Sequence, residues 1–98
     1  SIPVLSSESG TYFRVQVAAI KNPYFANIYF SEYDLLRGVK VEQMSGWYKY
    51  TVGSVTNLSE AEALKKKIRQ RTPVKTAFIV AYSDGKRISI QDAKGLVL

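Results

Sequence analysis

A chain of 98 residues holds one domain with one modest core, and 46% apolar with 22% charged residues lies within the globular range. The absence of cysteine and histidine removes disulfides, thiol nucleophiles, Cys- or His-based metal sites and any Ser-His-Asp triad. A net charge of +6 favours an anionic partner, whether nucleic acid, acidic lipid or a carboxylate-bearing polysaccharide, while no apolar run approaches the roughly eighteen residues of a membrane span and no signal-peptide pattern opens the chain.

Residues 1–11 (SIPVLSSESGT) are serine-rich, carry Pro3 and Gly10, and read as a linker or loosely docked arm. Over 12–20 (YFRVQVAAI) the residues alternate, with Phe13, Val15 and Val17 on one face and Tyr12, Arg14 and Gln16 on the other, which predicts a strand. Asn22-Pro23 offers one helix start and Ser31 a second, so a single helix or a turn plus a short helix both fit before Gly38. A short edge strand is expected over 39–44, a turn at Ser45-Gly46, and a further strand over 47–55 (WYKYTVGSV). Ser59 and Glu62 form a capping-box pattern, and the helix they open runs to Arg71 with Ala61, Leu64 and Ile68 as its buried stripe. Lys65, Lys66, Lys67, Arg69 and Arg71 then fall outside that stripe, as a solvated face that also complements the helix dipole. The apolar run Ala77 to Ala81 predicts a strand covered on much of both faces, and Asp84-Gly85 a type I′ hairpin into a short last strand.

An internal repeat organises these elements. FRVQVAAI (13–20) aligns with YKYTVGSV (48–55) at an offset of 35 residues, matching aromatic, base, apolar, amide or hydroxyl, valine, two small residues and a β-branched one. Two βαβ units follow, giving an α+β fold of the ferredoxin-like or RNP-like type: a four-stranded, mainly antiparallel sheet, the first and third strands central, both helices on one face, with a possible extra C-terminal hairpin strand. The repeat assigns Phe13, Val15, Val17, Tyr48, Tyr50 and Val52 to the helix-covered face, and Arg14, Gln16, Trp47, Lys49 and Thr51 to the other, expected to be open. Val15, Val17, Tyr50, Val52, Leu64, Ile68 and Phe78 are expected to share one core.

FRVQVAAI, then YKYTVGSV followed by SEAEAL, resemble in order the two halves of a SPOR domain, the sporulation-related repeat, and AFIVAYSDGKRI is similar to the ending of its Bacteroidetes branch. The resemblance covers 12–90, leaving 1–11 as an arm and 91–98 as a C-terminal tail. It implies a non-catalytic, cofactor-free module that binds peptidoglycan glycan strands stripped of stem peptides, in the periplasm or cell envelope, probing them with the open sheet face. On that basis Gln16 matches the signature glutamine, and Arg14, Lys49, Thr51 and Trp47 join it as candidate glycan-binding residues. One departure is Ala18-Ala19, where the family pattern has glycine after Val-Gln-Val; Gly53 keeps that place in the second repeat. The added methyl of Ala18 is a candidate for narrowing the glycan path.

The residue chemistry agrees with such a reading. Trp47 offers a stacking surface for a pyranose, Arg14 and Lys49 offer cations for the lactyl carboxylate of a denuded muramic residue, and Gln16 offers a donor and an acceptor for N-acetyl groups. No metal site is expected, and no carboxylate pair suits a glycosidase, since Glu32 and Asp34 point apart and Glu60 and Glu62 are first-turn acids. The expected partner is therefore denuded glycan, with no nucleic acid, membrane contact only through a parent protein, and a monomeric isolated domain. Two other classes stay open: an RNA-binding module of RNP-like layout, although the aromatic RNP signature is missing from 47–55, and a protein-interaction module using the edge strand at 39–44.

Overall fold

A computed structural model describes residues 2–24 and 26–97. In chain order the elements are β1 (Thr11–Ile20), α1 (Ala26–Ser31), a 3-10 turn (Asp34–Leu36), β2 (Lys40–Met44), β3 (Trp47–Val55), α2 (Leu58–Arg71), β4 (Phe78–Ser83), β5 (Lys86–Ile88) and α3 (Ile90–Val97). The strands form one sheet in the order β2-β3-β1-β4-β5, and every neighbouring pair is antiparallel. This is the expected α+β arrangement, with β1 and β3 central and the extra hairpin strand present. Both hairpins close on two residues with positive φ, Ser45 (52°) with Gly46 (80°) and Asp84 (50°) with Gly85 (85°), as type I′ turns require.

The repeat reappears as a pair of irregularities. In β1, Gln16 lies opposite Thr51 and Ala18 opposite Tyr50, so Val17 is an extra residue. In β3 the step from Val52 to Val55 spans the same length of β1 as Val15 to Phe13, which places an extra residue at Gly53-Ser54. The two bulges fall one to two positions apart in the eight-residue repeat, and each resets the alternation beyond it. Val17 and Ala18 therefore both serve the helix-covered side, packing in or against one core, while Ala19 is exposed. Gly53 adopts φ +78°, and a Cβ there would approach Leu64 Cδ2 of α2 to 2.4 Å, so the position is closed to a side chain on two counts.

Val15, Val17, Tyr50, Val52 and Ile68 share the main core with Phe30, Leu36 and Val39, and Leu64 packs against it. The ring of Phe30 meets Tyr50 at 5.1 Å, which seats α1 on the sheet beside α2. Phe78 does not join them: it is 46% exposed on the opposite face, because Ile79 and Ala81 supply the helix-side contacts of β4 and alternation sends Phe78, Val80 and Tyr82 the other way. The first helical segment is a turn, a six-residue helix and the 3-10 turn, not one helix. On α2 the N-cap is Asn57, whose side chain accepts from the amides of Ser59 and Glu60, so Ser59 is not the cap. At the C-terminus, 91–97 is not a tail but the body of α3, which buries Ala93 against Phe13, Ala61 and Ala81.

The N-terminal arm is docked. Leu5 donates its amide to the carbonyl of Val41 and Val41 returns its own to the carbonyl of Pro3, a parallel bridge along the outer edge of β2. Ile2 packs on the helix-side core, whereas Leu5 packs on Tyr12, Val80 and Tyr82 of the second face, so the arm wraps the edge from one side of the sheet to the other. Farther on, the Glu8 carboxylate accepts from Ser54 Oγ at 2.8 Å, and Gly10 donates to Asp84 at 2.7 Å. Val41 thus has its outward backbone groups occupied by its own chain, which leaves less of the β2 edge for a partner strand than the interaction-module reading needs.

Candidate functional site

The second face carries Arg14 and Gln16 from β1, Glu42 from β2, Lys49 and Thr51 from β3, Tyr82 from β4 and Arg87 from β5. Sequence alternation put Arg14, Gln16 and Thr51 on an open surface; they do lie on this face, but at 3%, 5% and 1% exposure they are buried. Arg14 donates from Nε to Thr51 Oγ1 at 2.6 Å and from Nη2 to the Thr51 carbonyl at 2.9 Å. Burial lowers the pKa of its guanidinium from the ordinary value, opposed by Tyr82 and Glu8, yet arginine keeps its proton in protein interiors. A fixed cation therefore sits under the face, satisfied by neutral oxygens.

Arg87 ties the face together. Its Nη1 donates to Gln16 Oε1 at 2.8 Å, and its Nη2 to Glu42 Oε1 at 2.8 Å and to the Tyr82 hydroxyl at 3.2 Å. The same guanidinium lies 5.5 Å from the centre of the Tyr82 ring, and Tyr82 donates to Glu42 Oε1 while stacking on Tyr12 at 5.1 Å. Burial first, and the hydrogen bond to Glu42 second, push the Tyr82 hydroxyl up to about 12. Glu42 and Arg87 belong to the two edge strands, so their 2.8 Å ion pair shows that the sheet twists enough to bring its edges together over this face. Arg87 Nε is buried without a partner. Because Arg87 takes the Gln16 oxygen, the amide nitrogen of Gln16 is left as its free donor.

The solvent-facing part of the second face lies beyond this network. Trp47 is 39% exposed and Lys21 Nζ sits 5.0 Å from the centre of its ring. Lys49, half-buried, stands between Ala19 of β1 and Glu42 of β2, and two residues farther along β3 a second row crosses from Thr51 through Gln16 to exposed Phe78 on β4. Two aromatics thus bracket a strip containing two cations, with the buried amide and guanidinium beneath. Among the expected site residues, Trp47 and Lys49 line this strip, whereas Arg14, Gln16 and Thr51 form its floor. Ala18 is not in it, since its methyl turns toward the helices, so it does not narrow this surface.

Sequence reasoning missed Glu42, Phe78, Tyr82, Arg87 and Lys21 as parts of this face. Arg87 was within reach: a two-residue hairpin at Asp84-Gly85 places it opposite Tyr82. Lys21 was hidden by the bulge at Val17, which turns Ala19 and the residues after it to the face opposite the one simple alternation gives.

A twisted antiparallel sheet with helices on one face and an aromatic-rimmed polar strip on the other is the layout of RNP-like binding modules. The SPOR domain model matches residues 9–81, and the chain belongs to that family. SPOR domains occur in cell-envelope proteins. A similar fold is the solution structure of the peptidoglycan binding domain of B. subtilis cell wall lytic enzyme CwlC, at 20% identity and a TM-score of 0.57, covering 82% of this chain and all of that one. No curated protein matches the chain. Among the described residues, no helix is long and apolar enough to cross a membrane.

Proposed function

We propose that this chain is a non-catalytic peptidoglycan-binding module that takes glycan strands lacking stem peptides along the second face of its sheet and so targets a parent envelope protein. Membership of the SPOR family and the peptidoglycan-binding neighbour support the polymer; the exposed strip from Trp47 through Lys49 to Phe78 supports the surface. In this reading Trp47 stacks on a sugar ring, and Lys21 and Lys49 pair with the lactyl carboxylates that peptide removal exposes. Arg14, Gln16 and Thr51 lie below, with the Gln16 amide nitrogen donating to an N-acetyl oxygen and the Arg14 charge holding the floor positive. Stem peptides would convert each lactyl carboxylate into an amide and obstruct a strand lying along the sheet, so the denuded form is preferred on both counts.

The experiment is retention on purified sacculi with and without amidase treatment. Trp47→Ala is expected to weaken binding to denuded sacculi by about 1–3 kcal/mol with little change in melting. Gln16→Ala is expected to weaken binding too, but also to lower stability, since it removes a buried acceptor of Arg87. The RNA alternative predicts the reverse preference: single-stranded RNA held at high salt and released by loss of Trp47.

A further inference from the structure

The chain's net charge has an address. Residues 65–75 contain six bases and no acid, while the rest of the sequence holds eight of each, so the whole +6 belongs to the last two turns of α2 and the loop that follows. Lys65 is half-buried and paired with Glu62 at 2.9 Å; Lys66, Lys67, Arg69, Arg71 and Lys75 are exposed. Two of these are held in place. Arg69 donates from Nε to the Ala77 carbonyl at 2.8 Å, and Lys75 donates to the Arg69 carbonyl at 2.7 Å, which folds the loop base back onto the helix end.

We propose that this ridge is a second binding surface, which docks the domain on a bilayer bearing anionic headgroups. At about 100° per residue, Arg69, Lys66, Lys67 and Arg71 fan across roughly 200° of the helix circumference. The depression along it, bordered by Lys66 and Arg69, also carries Glu62, which disfavours a lone anion there, whereas the row of bases as a whole meets a charged plane along its length. The large exposed apolar side chains of the described residues all lie outside α2, so the helix itself inserts none and its own attraction is electrostatic. Helix dipole compensation explains one or two bases in the last turn, not five exposed ones with no acid among them. The ridge lies on the helix-covered side, away from the aromatic strip, and the molecule is only 18 Å across its shortest axis. A domain seated on glycan by its sheet therefore presents its entire net charge to whatever lies behind it.

The test is co-sedimentation with vesicles of phosphatidylcholine alone and with 40% phosphatidylglycerol, at 50 and 300 mM salt. The wild type is expected to bind the anionic vesicles at 50 mM salt, to lose at least tenfold at 300 mM, and to ignore the neutral ones. Lys66→Glu/Lys67→Glu/Arg71→Glu is expected to lose at least 100-fold, and the milder Lys66→Gln/Lys67→Gln/Arg71→Gln about tenfold, each with unchanged circular dichroism. Retention on denuded sacculi should survive both variants, so failure of the glycan reading and failure of this one are separate results. Absence of vesicle binding at 50 mM salt overturns the proposal, as does equal binding by the Glu variant. Tighter binding of single-stranded RNA than of anionic vesicles at equal salt would give the ridge to a linear polyanion instead.

Discussion

Gly53→Ala probes the junction between the repeat, the bulge and the helix. Alanine at φ +78° costs about 1–2 kcal/mol for the left-handed backbone alone. Its Cβ would also lie 2.4 Å from Leu64 Cδ2, and displacing that side-chain tip adds about 1–3 kcal/mol of overpacking. Together the loss is about 2–5 kcal/mol, a large part of the roughly 5–15 kcal/mol of a typical domain. Differential scanning calorimetry should show a fall of about 10 °C or more, since ~1 kcal/mol shifts a domain of this size by about 4–8 °C. A double-mutant cycle with Leu64→Ala separates the two terms. Leu64→Ala by itself should cost about 2–3 kcal/mol, the low end for a partly buried leucine, but it vacates the space the new methyl needs. The double variant should therefore be about 1–2 kcal/mol more stable than the single losses added together. A Gly53→Ala protein that melts with the wild type, or strictly additive losses, would refute the close approach of β3 to α2.

Asn57→Ala should cost about 1 kcal/mol through loss of the α2 cap, and Ser59→Ala less; the opposite order in urea denaturation would restore the capping box to Ser59. Arg87→Ala strips Gln16, Glu42 and Tyr82 of a shared donor and should cost about 1–3 kcal/mol, with the loss read from the denaturation midpoint; a neutral result would mean the two sheet edges are not joined in solution. Tyr82 is raised to about 12 from an ordinary 10, so its contribution is complete below pH 10 and is lost as the pH climbs from 10 to 12. Burial also raises Tyr50, so ultraviolet titration should show late-ionising tyrosine absorbance that falls by one residue in Tyr82→Phe; an unchanged late phase in that variant would contradict the burial of Tyr82.

The sheet and its order were legible because period-two alternation, two turn dipeptides and an internal repeat all pointed to one topology. Phe78 was misread for a physical reason: the run from Ala77 to Ala81 looks uniformly apolar, and its phase is set by Ala81 meeting Ala93 of α3, a helix that the sequence was not credited with. The cap moved from Ser59 to Asn57 because both satisfy the residue preference, and only backbone geometry distinguishes them. The site was half legible. Parity correctly put Arg14, Gln16, Lys49 and Thr51 on one face, but parity carries no information about depth. Burial of Arg14 comes from sheet twist, which carries Glu42 to Arg87, and from an arm whose serine-rich composition conceals the docking of Leu5. The bulge at Val17 was visible only as a departure from glycine, and its consequence for Lys21 required the register.

The central claim is that the aromatic-edged strip on the second face reads denuded glycan. Its most direct test is side-by-side retention of the wild type and Trp47→Ala on sacculi before and after amidase digestion, with Lys66→Ala as a control outside the strip. Amidase treatment should raise retention of the wild type and of Lys66→Ala alike and leave Trp47→Ala about 10- to 100-fold weaker, the equivalent of losing one well-used aromatic contact. Equal retention of the wild type and Trp47→Ala on denuded sacculi, or stronger binding to undigested ones, would contradict it.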